Sequence, residues 1–164
     1  MTILVDTREQ MPLRFPANPA LEKVEETTLT YGDYMIRFSD GTIPPVTFER
    51  KSLADLFGTL GKGYERFKAE FLGAKEAGLS FVLLIEASLS QVAQGYPRSS
   101  IPGSQIVQQL FTLMTSYGIR VVFCQDAEEA GLWLLEQAKA VGRRYAATQT
   151  VREVFGAVTL VEPI

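Results

Sequence analysis

Apolar residues recur along this chain with two periods. Three continuous apolar runs have strand length: "TILVD" at 2–6, "FVLLIE" at 81–86 and "RVVFC" at 120–124. Runs of this kind suit strands covered on both faces of a sheet. "VEETTL" at 24–29 alternates like a strand, and "YGDYMIRF" turns at Gly32 before extending through Tyr34, Ile36 and Phe38. "VTFERK" at 46–51 returns after a turn with Asp40 and Gly41 at its tip. The period then lengthens. Ser52 caps a helix with Leu53, Leu56, Phe57 and Leu60 at helical spacing, and Tyr64, Phe67, Phe71 and Ala74 form the stripe of a second. "SQIVQQLFTLMTSYG" is a helix stopped by Gly118. "DAEEAGLWLLEQAKAVGRRYA" opens with acids and closes with Arg143 and Arg144, which suits the helix dipole. Its run of Leu132, Trp133, Leu134 and Leu135 exceeds one narrow face, as core or as a subunit contact.

The order is four strands, two helices, a strand, a helix, a strand and a helix. The first half predicts an antiparallel meander and the second βα crossovers. The fold class is therefore α/β, a mixed central sheet flanked by helices. Residues 94–104, "QGYPRSSIPGS", read as a polar surface loop. One domain is expected over residues 1–147, with 148–164 as a C-terminal tail or an extra strand.

Composition narrows the chemistry. The chain has 164 residues, 46 % of them hydrophobic and 21 % charged, enough for one cored domain. Its single cysteine, Cys124, rules out a disulfide framework or a thiolate metal cluster and reads as a core residue. Histidine is absent, which removes Ser-His and Cys-His nucleophiles and histidine-bound zinc. Any catalysis near neutral pH must then rest on carboxylates, lysines or tyrosines, with a hard metal as helper. A net charge of −3 carries no overall basic signature, although a local basic face remains compatible with it. Nothing resembles a signal peptide or a membrane span, and the expected location is cytoplasmic, or nuclear in a eukaryote.

The charged end of "VTFERK" is the candidate for that chemistry. Alternation along a strand puts Val46, Phe48 and Arg50 on one face and Thr47, Glu49 and Lys51 on the other. If the hairpin register brings Asp33 beside Glu49, two carboxylates and an ammonium meet at one point. Such a set suits Mg²⁺, which takes one or two carboxylates and fills its remaining sites with water and phosphate. The backbone carbonyl of Arg50 is a further candidate ligand. The plainer reading is solvated charges paired with their neighbours. Asp55, three residues after Ser52, reads by itself as part of a capping box, and Asp33 as a turn residue. Asp6 closes a strand and fits either role.

Three segments carry a resemblance. "VDTRE" (5–9), "YGDY" (31–34) and "ERKSLAD" (49–55) resemble, in order, the nuclease domain of the XPF family of structure-specific endonucleases. That family's signature is Gly-Asp, a gap, then Glu-Arg-Lys, three residues and Asp. Gly32-Asp33, Glu49-Arg50-Lys51 and Asp55 match it without substitution. The resemblance implies a restriction-endonuclease-like core, Mg²⁺ or Mn²⁺, and hydrolysis of DNA phosphodiesters at branches such as forks and flaps. It implies Asp33 and Glu49 as metal ligands, Lys51 as the catalytic lysine, and Asp6, Arg50 and Asp55 completing the active site. Glu9 and Glu86 fall on supporting positions. It also implies a homodimer or pairing with a related subunit. Many relatives carry a tandem helix-hairpin-helix domain, for which this chain has no room. A nuclease domain of a longer protein, or a compact stand-alone form, is expected. Relatives have Gly-Arg after the signature, whereas here Gly63 is followed by Tyr64, with Arg66 two further on.

Arg8, Lys62 and Arg66 are the candidate DNA contacts, since phosphate contacts position nucleic acid without reading bases. Lys68 and Lys75 read as solvated helix positions among Glu65, Glu70 and Glu76. The rival function is a catalytically silent member of the same fold, acting as a DNA-docking or partner-binding scaffold. The intact signature argues against it.

Overall fold

The structure, a computed structural model, describes residues 1–155. Six strands form one sheet: β1 (Thr2–Asp6), β2 (Lys23–Thr27), β3 (Tyr34–Arg37), β4 (Val46–Ser52), β5 (Ser80–Glu86) and β6 (Arg120–Phe123). Five helices join them: α1 (Leu53–Leu60), α2 (Tyr64–Glu76), α3 (Leu89–Gln94), α4 (Gly103–Tyr117) and α5 (Ala127–Phe155). The strands lie in the order β2-β1-β3-β4-β5-β6. β1 pairs antiparallel with β3 and β3 with β4, while β4, β5 and β6 are mutually parallel. The mixed sheet flanked by helices is as expected.

The meander is not. β2 lies parallel to β1 on its outer side, Thr2 opposite Lys23 and Asp6 opposite Thr27. Parallel neighbours need a connection of a dozen residues or more, and the proline-rich stretch 7–22 returns the chain to the starting end of β1. α3 is a short helix missing from the sequence-based order. It is set by a capping box in which Ser88 Oγ accepts from the Gln91 N–H and the Gln91 side chain accepts from the Ser88 N–H. α5 continues as helix to Phe155, into the stretch read as a tail or strand. The rest of that stretch, 156–164, lies outside the described residues.

Alternation along β5 divides the core. Leu83 and Ile85 face α1, α2 and α4, where Leu56, Leu60, Phe67, Phe71, Ile106, Leu110 and Leu113 are buried. Val82 and Leu84 face the other way with Ile3, Val5, Tyr34, Ile36 and Phe48, under Ala130, Leu134, Leu135 and Ala138 of α5. Each such side chain is worth about 1.5–3 kcal/mol when fully buried, so the central strands are held from both sides. Gly131 lets α5 descend onto the loop after β1, because a Cβ there would stand 2.1 Å from the Arg14 carbonyl oxygen. The apolar surplus of α5 is mostly core: Trp133 meets the Phe48 ring edge to face, and Leu132 is the member left exposed. Cys124 is sealed in the same layer at 1 % exposure. Burial, then Glu129, Glu86 and Asp126, push its thiol up to about 11. No helix among the described residues is long and apolar enough to cross a membrane.

Candidate active site

β1, β4 and β5 run in the same direction, so their carboxyl ends meet at one end of the sheet. That end carries Asp6, then Glu49, Arg50 and Lys51, then Glu86. β3 runs against them, and the chain enters it there, at Asp33.

The Gly32-Asp33 turn is held tightly. Gly32 has φ 71°, and a Cβ on it would lie 2.3 Å from Thr47 Oγ1 and 2.9 Å from the Phe48 carbonyl oxygen. The Thr47 hydroxyl donates to the Tyr31 carbonyl at 2.7 Å. The Asp33 N–H donates to the Phe48 carbonyl, and the Asp33 carbonyl accepts from the Asp6 N–H, both at 2.8 Å. Asp33 is thus pinned between β1 and β4. β3 pairs with β4 at Tyr34 and Phe48, and past that point the strands part. The Arg50 N–H then turns to the Asp33 carboxylate, donating to Oδ2 at 2.8 Å. Glu49 and Lys51 stand beside this parting, Glu49 buried and Lys51 half-buried.

Asp33 and Glu49 act on each other as like charges. Glu49 is buried, at 4 % exposure. Burial first, and the Asp33 charge second, raise its carboxyl pKa well above the usual range. Asp33 is raised as well, chiefly by burial, with Glu9 and Glu70 adding repulsion against the Arg50 N–H and Lys51. Lys51 Nζ makes a short ion pair with Glu49 Oε1. Burial works against the Lys51 charge, but Glu49, Asp33 and Glu70 outweigh it and raise its pKa. One ammonium does not balance the acids around it, because both carboxyls stay raised despite it.

The other expected residues take different places. Arg50 points to the opposite face, where its guanidinium pairs with both oxygens of Glu86, the Nη2–Oε2 contact being 3.0 Å, and with Glu9 Oε1 at 3.3 Å. Its contribution to the site is its main-chain N–H. Asp6 is buried and its oxygens are taken: Oδ1 by the Arg8 N–H at 2.8 Å and Nε at 2.6 Å, Oδ2 by Arg8 Nη2 at 3.0 Å and the Leu29 N–H at 2.7 Å. It holds Arg8, whose side chain is 70 % exposed and near enough to interact with Glu70 and Asp33. Asp55 is exposed on the first turn of α1, which Ser52 caps. Its N–H donates to Ser52 Oγ at 3.1 Å, and its Oδ2 accepts from that hydroxyl at 2.6 Å. Asp55 is thus engaged with Ser52 at the start of α1 rather than with Asp33 or Glu49. Lys62, between α1 and α2, and Arg66, on the first turns of α2, are exposed. Arg66 lies one turn before Glu70.

Glu70, which enters the sequence reading only as a neighbour of Lys68 and Lys75, belongs to this site: its Oε1 lies 3.4 Å from the Gly32 nitrogen, and its charge acts on Asp33, Glu49 and Lys51. Helical spacing gave no sign of this, because the contact depends on how α2 crosses the Tyr31–Asp33 turn. Gly73, one turn on, lies against the Tyr31 ring.

Among the described residues no three acids or cysteines gather into a ready metal cage. The pair Asp33 and Glu49 nonetheless fits a hard divalent ion. Mg²⁺ takes one or two carboxylates and keeps its water, and a buried carboxyl repelled by a half-buried one gains from a cation between them.

The comparisons with known proteins agree with this fold. The family model described as the ERCC4 domain matches residues 5–136. XPF from Aeropyrum pernix is similar in structure, with a TM-score of 0.64 and 19 % identity over 96 % of this chain and 82 % of that one. XPF from Aeropyrum pernix in complex with DNA gives a TM-score of 0.60 and 22 % identity, over 87 % of this chain and 66 % of that one. No curated protein matches this chain in sequence.

Proposed function

The chain belongs to the ERCC4 domain family, and from that membership we propose that it is a metal-dependent endonuclease that hydrolyses DNA phosphodiesters at branched structures. The observation that carries this reading is the convergence of Asp33, Glu49 and Lys51 at the parting of β3 and β4. The nuclease unit is residues 1–147, and it works as a homodimer or beside a related subunit.

Asp33 and Glu49 would hold a Mg²⁺ or Mn²⁺ ion, which when bound would supply a Lewis acid and lower the pKa of water. The chain's own groups do the rest. The Arg50 N–H fixes Asp33 Oδ2 and so holds the carboxylate in one orientation. Arg50 itself is held from beneath by Glu86 and Glu9, so we assign these three residues and Asp6 to positioning. Lys51 sets its ammonium against charge that develops on the phosphate and orients the attacking water. Arg8, already ordered by Asp6 and by the Leu29 carbonyl at 2.8 Å, receives a backbone phosphate, with Lys62 and Arg66 along its path. The DNA complex of the structural neighbour supports the class of substrate.

The test is a panel of end-labelled duplex, flap, fork and four-way-junction DNAs with Mg²⁺ or Mn²⁺. Cleavage of the branched substrates is expected. Asp33→Ala and Lys51→Ala should each lower the rate by at least about 10²-fold with circular dichroism unchanged. Cleavage that survives both changes refutes the proposal. DNA binding without cleavage under either metal favours a silent scaffold instead.

A further inference from the structure

The site holds more negative charge than its proposed ligands need. Asp33, Glu49 and Glu70 interact with one another and with the single ammonium of Lys51. The guanidinium of Arg8 is already committed to Asp6. Three acidic groups therefore face one ammonium, and Glu9 adds to the repulsion at Asp33. Lys51 spends its short contact on Glu49. Glu70 has no salt-bridge partner among the described residues, and its hydrogen bond is the long one from the Gly32 N–H at 3.4 Å. An acid on the inner side of a helix usually turns to solvent or finds a cation. This one stays half-buried against the turn that presents Asp33.

We infer that Glu70 is an outer carboxylate of the cation site, which does not bind the ion but sets how tightly Asp33 and Glu49 hold it. The inference rests on the metal reading above. Glu70 reaches the turn that presents Asp33 through the Gly32 N–H at 3.4 Å, it does not gather with Asp33 and Glu49 into a three-acid group, and it acts on both of them and on their lysine. A full charge at such range attracts a divalent ion twice as strongly as a monovalent one, and through a partly wet site this amounts to roughly a three- to ten-fold gain in affinity. The gain should fade as salt screens it.

Glu70→Gln separates the two roles open to this side chain. The amide oxygen still accepts from the Gly32 N–H, so a residue that merely braces the turn is not disturbed. The charge is lost, so a residue that tunes the ion is. The experiment titrates Mn²⁺ alone into the DNA-free, full-length protein by calorimetry, at low and at high KCl, for wild type, Glu70→Gln, Glu70→Ala and Asp33→Asn. Binding to Glu70→Gln is expected to weaken roughly three- to ten-fold at low salt, the gap closing at high salt, with the melting curve unchanged. Asp33→Asn should remove binding. Equal Mn²⁺ affinity for Glu70→Gln and wild type overturns the inference and leaves the metal reading standing. Weakening in Glu70→Ala alone assigns Glu70 to the turn and also overturns it. Failure of the wild type to bind Mn²⁺ overturns both.

Discussion

Asp33→Asn should make the metal-free protein more stable while ending its activity. The amide keeps the shape of the carboxyl and can still accept from the Arg50 N–H, but it removes the charge that, after burial, most raises Glu49. One pKa unit is worth about 1.4 kcal/mol, and a like charge at close range shifts its neighbour by one to two units or so, giving about 1.5–3 kcal/mol of relief. Against this stands a weaker bond from the Arg50 N–H, neutral rather than charge-assisted, at about 1 kcal/mol. The net gain is about 0.5–2 kcal/mol. At about 2–4 °C per kcal/mol for a chain of this size, the melting temperature should rise by a few degrees. The sign with pH follows from both carboxyls being raised. Below their ordinary values, 3.8 and 4.5, they are protonated folded or unfolded and cost nothing. Above the raised values the repulsion is present in full. The advantage of the variant should therefore be absent in acid and grow as pH climbs through neutrality. The assay is calorimetric melting in EDTA between pH 4 and 8.5, repeated with Mg²⁺, which should stabilise wild type and leave the variant unmoved. A variant that melts below wild type at pH 8 in EDTA would show that the two carboxylates do not share a field.

Three further outcomes are expected. Gly32→Ala must shift Thr47 or the Phe48 carbonyl to seat its Cβ, at a positive φ; the cost is about 1–3 kcal/mol, read by urea unfolding, together with loss of cleavage. Asp6→Ala strands the Leu29 N–H and the Arg8 guanidinium, costing about 2–4 kcal/mol at pH 7. Arg8, against burial, holds the Asp6 carboxyl below 3.8, so this contribution is complete above that value and lost as pH falls through the lowered one; a gap between variant and wild type that persists unchanged at pH 2 contradicts the assignment. Arg8→Ala should weaken binding to forked DNA alike for all sequences and reduce the slope of log affinity against log salt by about 1; an unchanged slope takes Arg8 out of the phosphate path.

Much of the fold is readable along the chain because β5 and the longer helices on either side of it carry their periods plainly. Leu83 and Ile85 against Val82 and Leu84 mark a strand covered twice, and the stripe of Phe67, Phe71 and Ala74 marks the buried face of α2. The alternation of "VTFERK" likewise separates Arg50 from Glu49 and Lys51, as the ion pairs bear out. What stays hidden is set by long-range pairing. Nothing local in "VEETTL" says that it lies parallel to β1 rather than antiparallel, since its partner is chosen by the path of the loop before it. The same holds for the side chains. Asp6 ends β1 and Arg8 follows two residues later in the loop, and only the arrival of the Leu29 N–H shows that the carboxylate is filled. Glu70 is invisible for the same reason, as one more acid on an exposed-looking helix.

The sealed position of Cys124 has a practical side. It is the chain's one cysteine, 1 % exposed, with its thiol held protonated near neutral pH. Maleimide dyes should pass it by. A fluorophore can then be attached at Lys62→Cys without first removing the native sulfur, so that the approach of a labelled fork to the α1–α2 corner can be followed by energy transfer in otherwise unaltered protein.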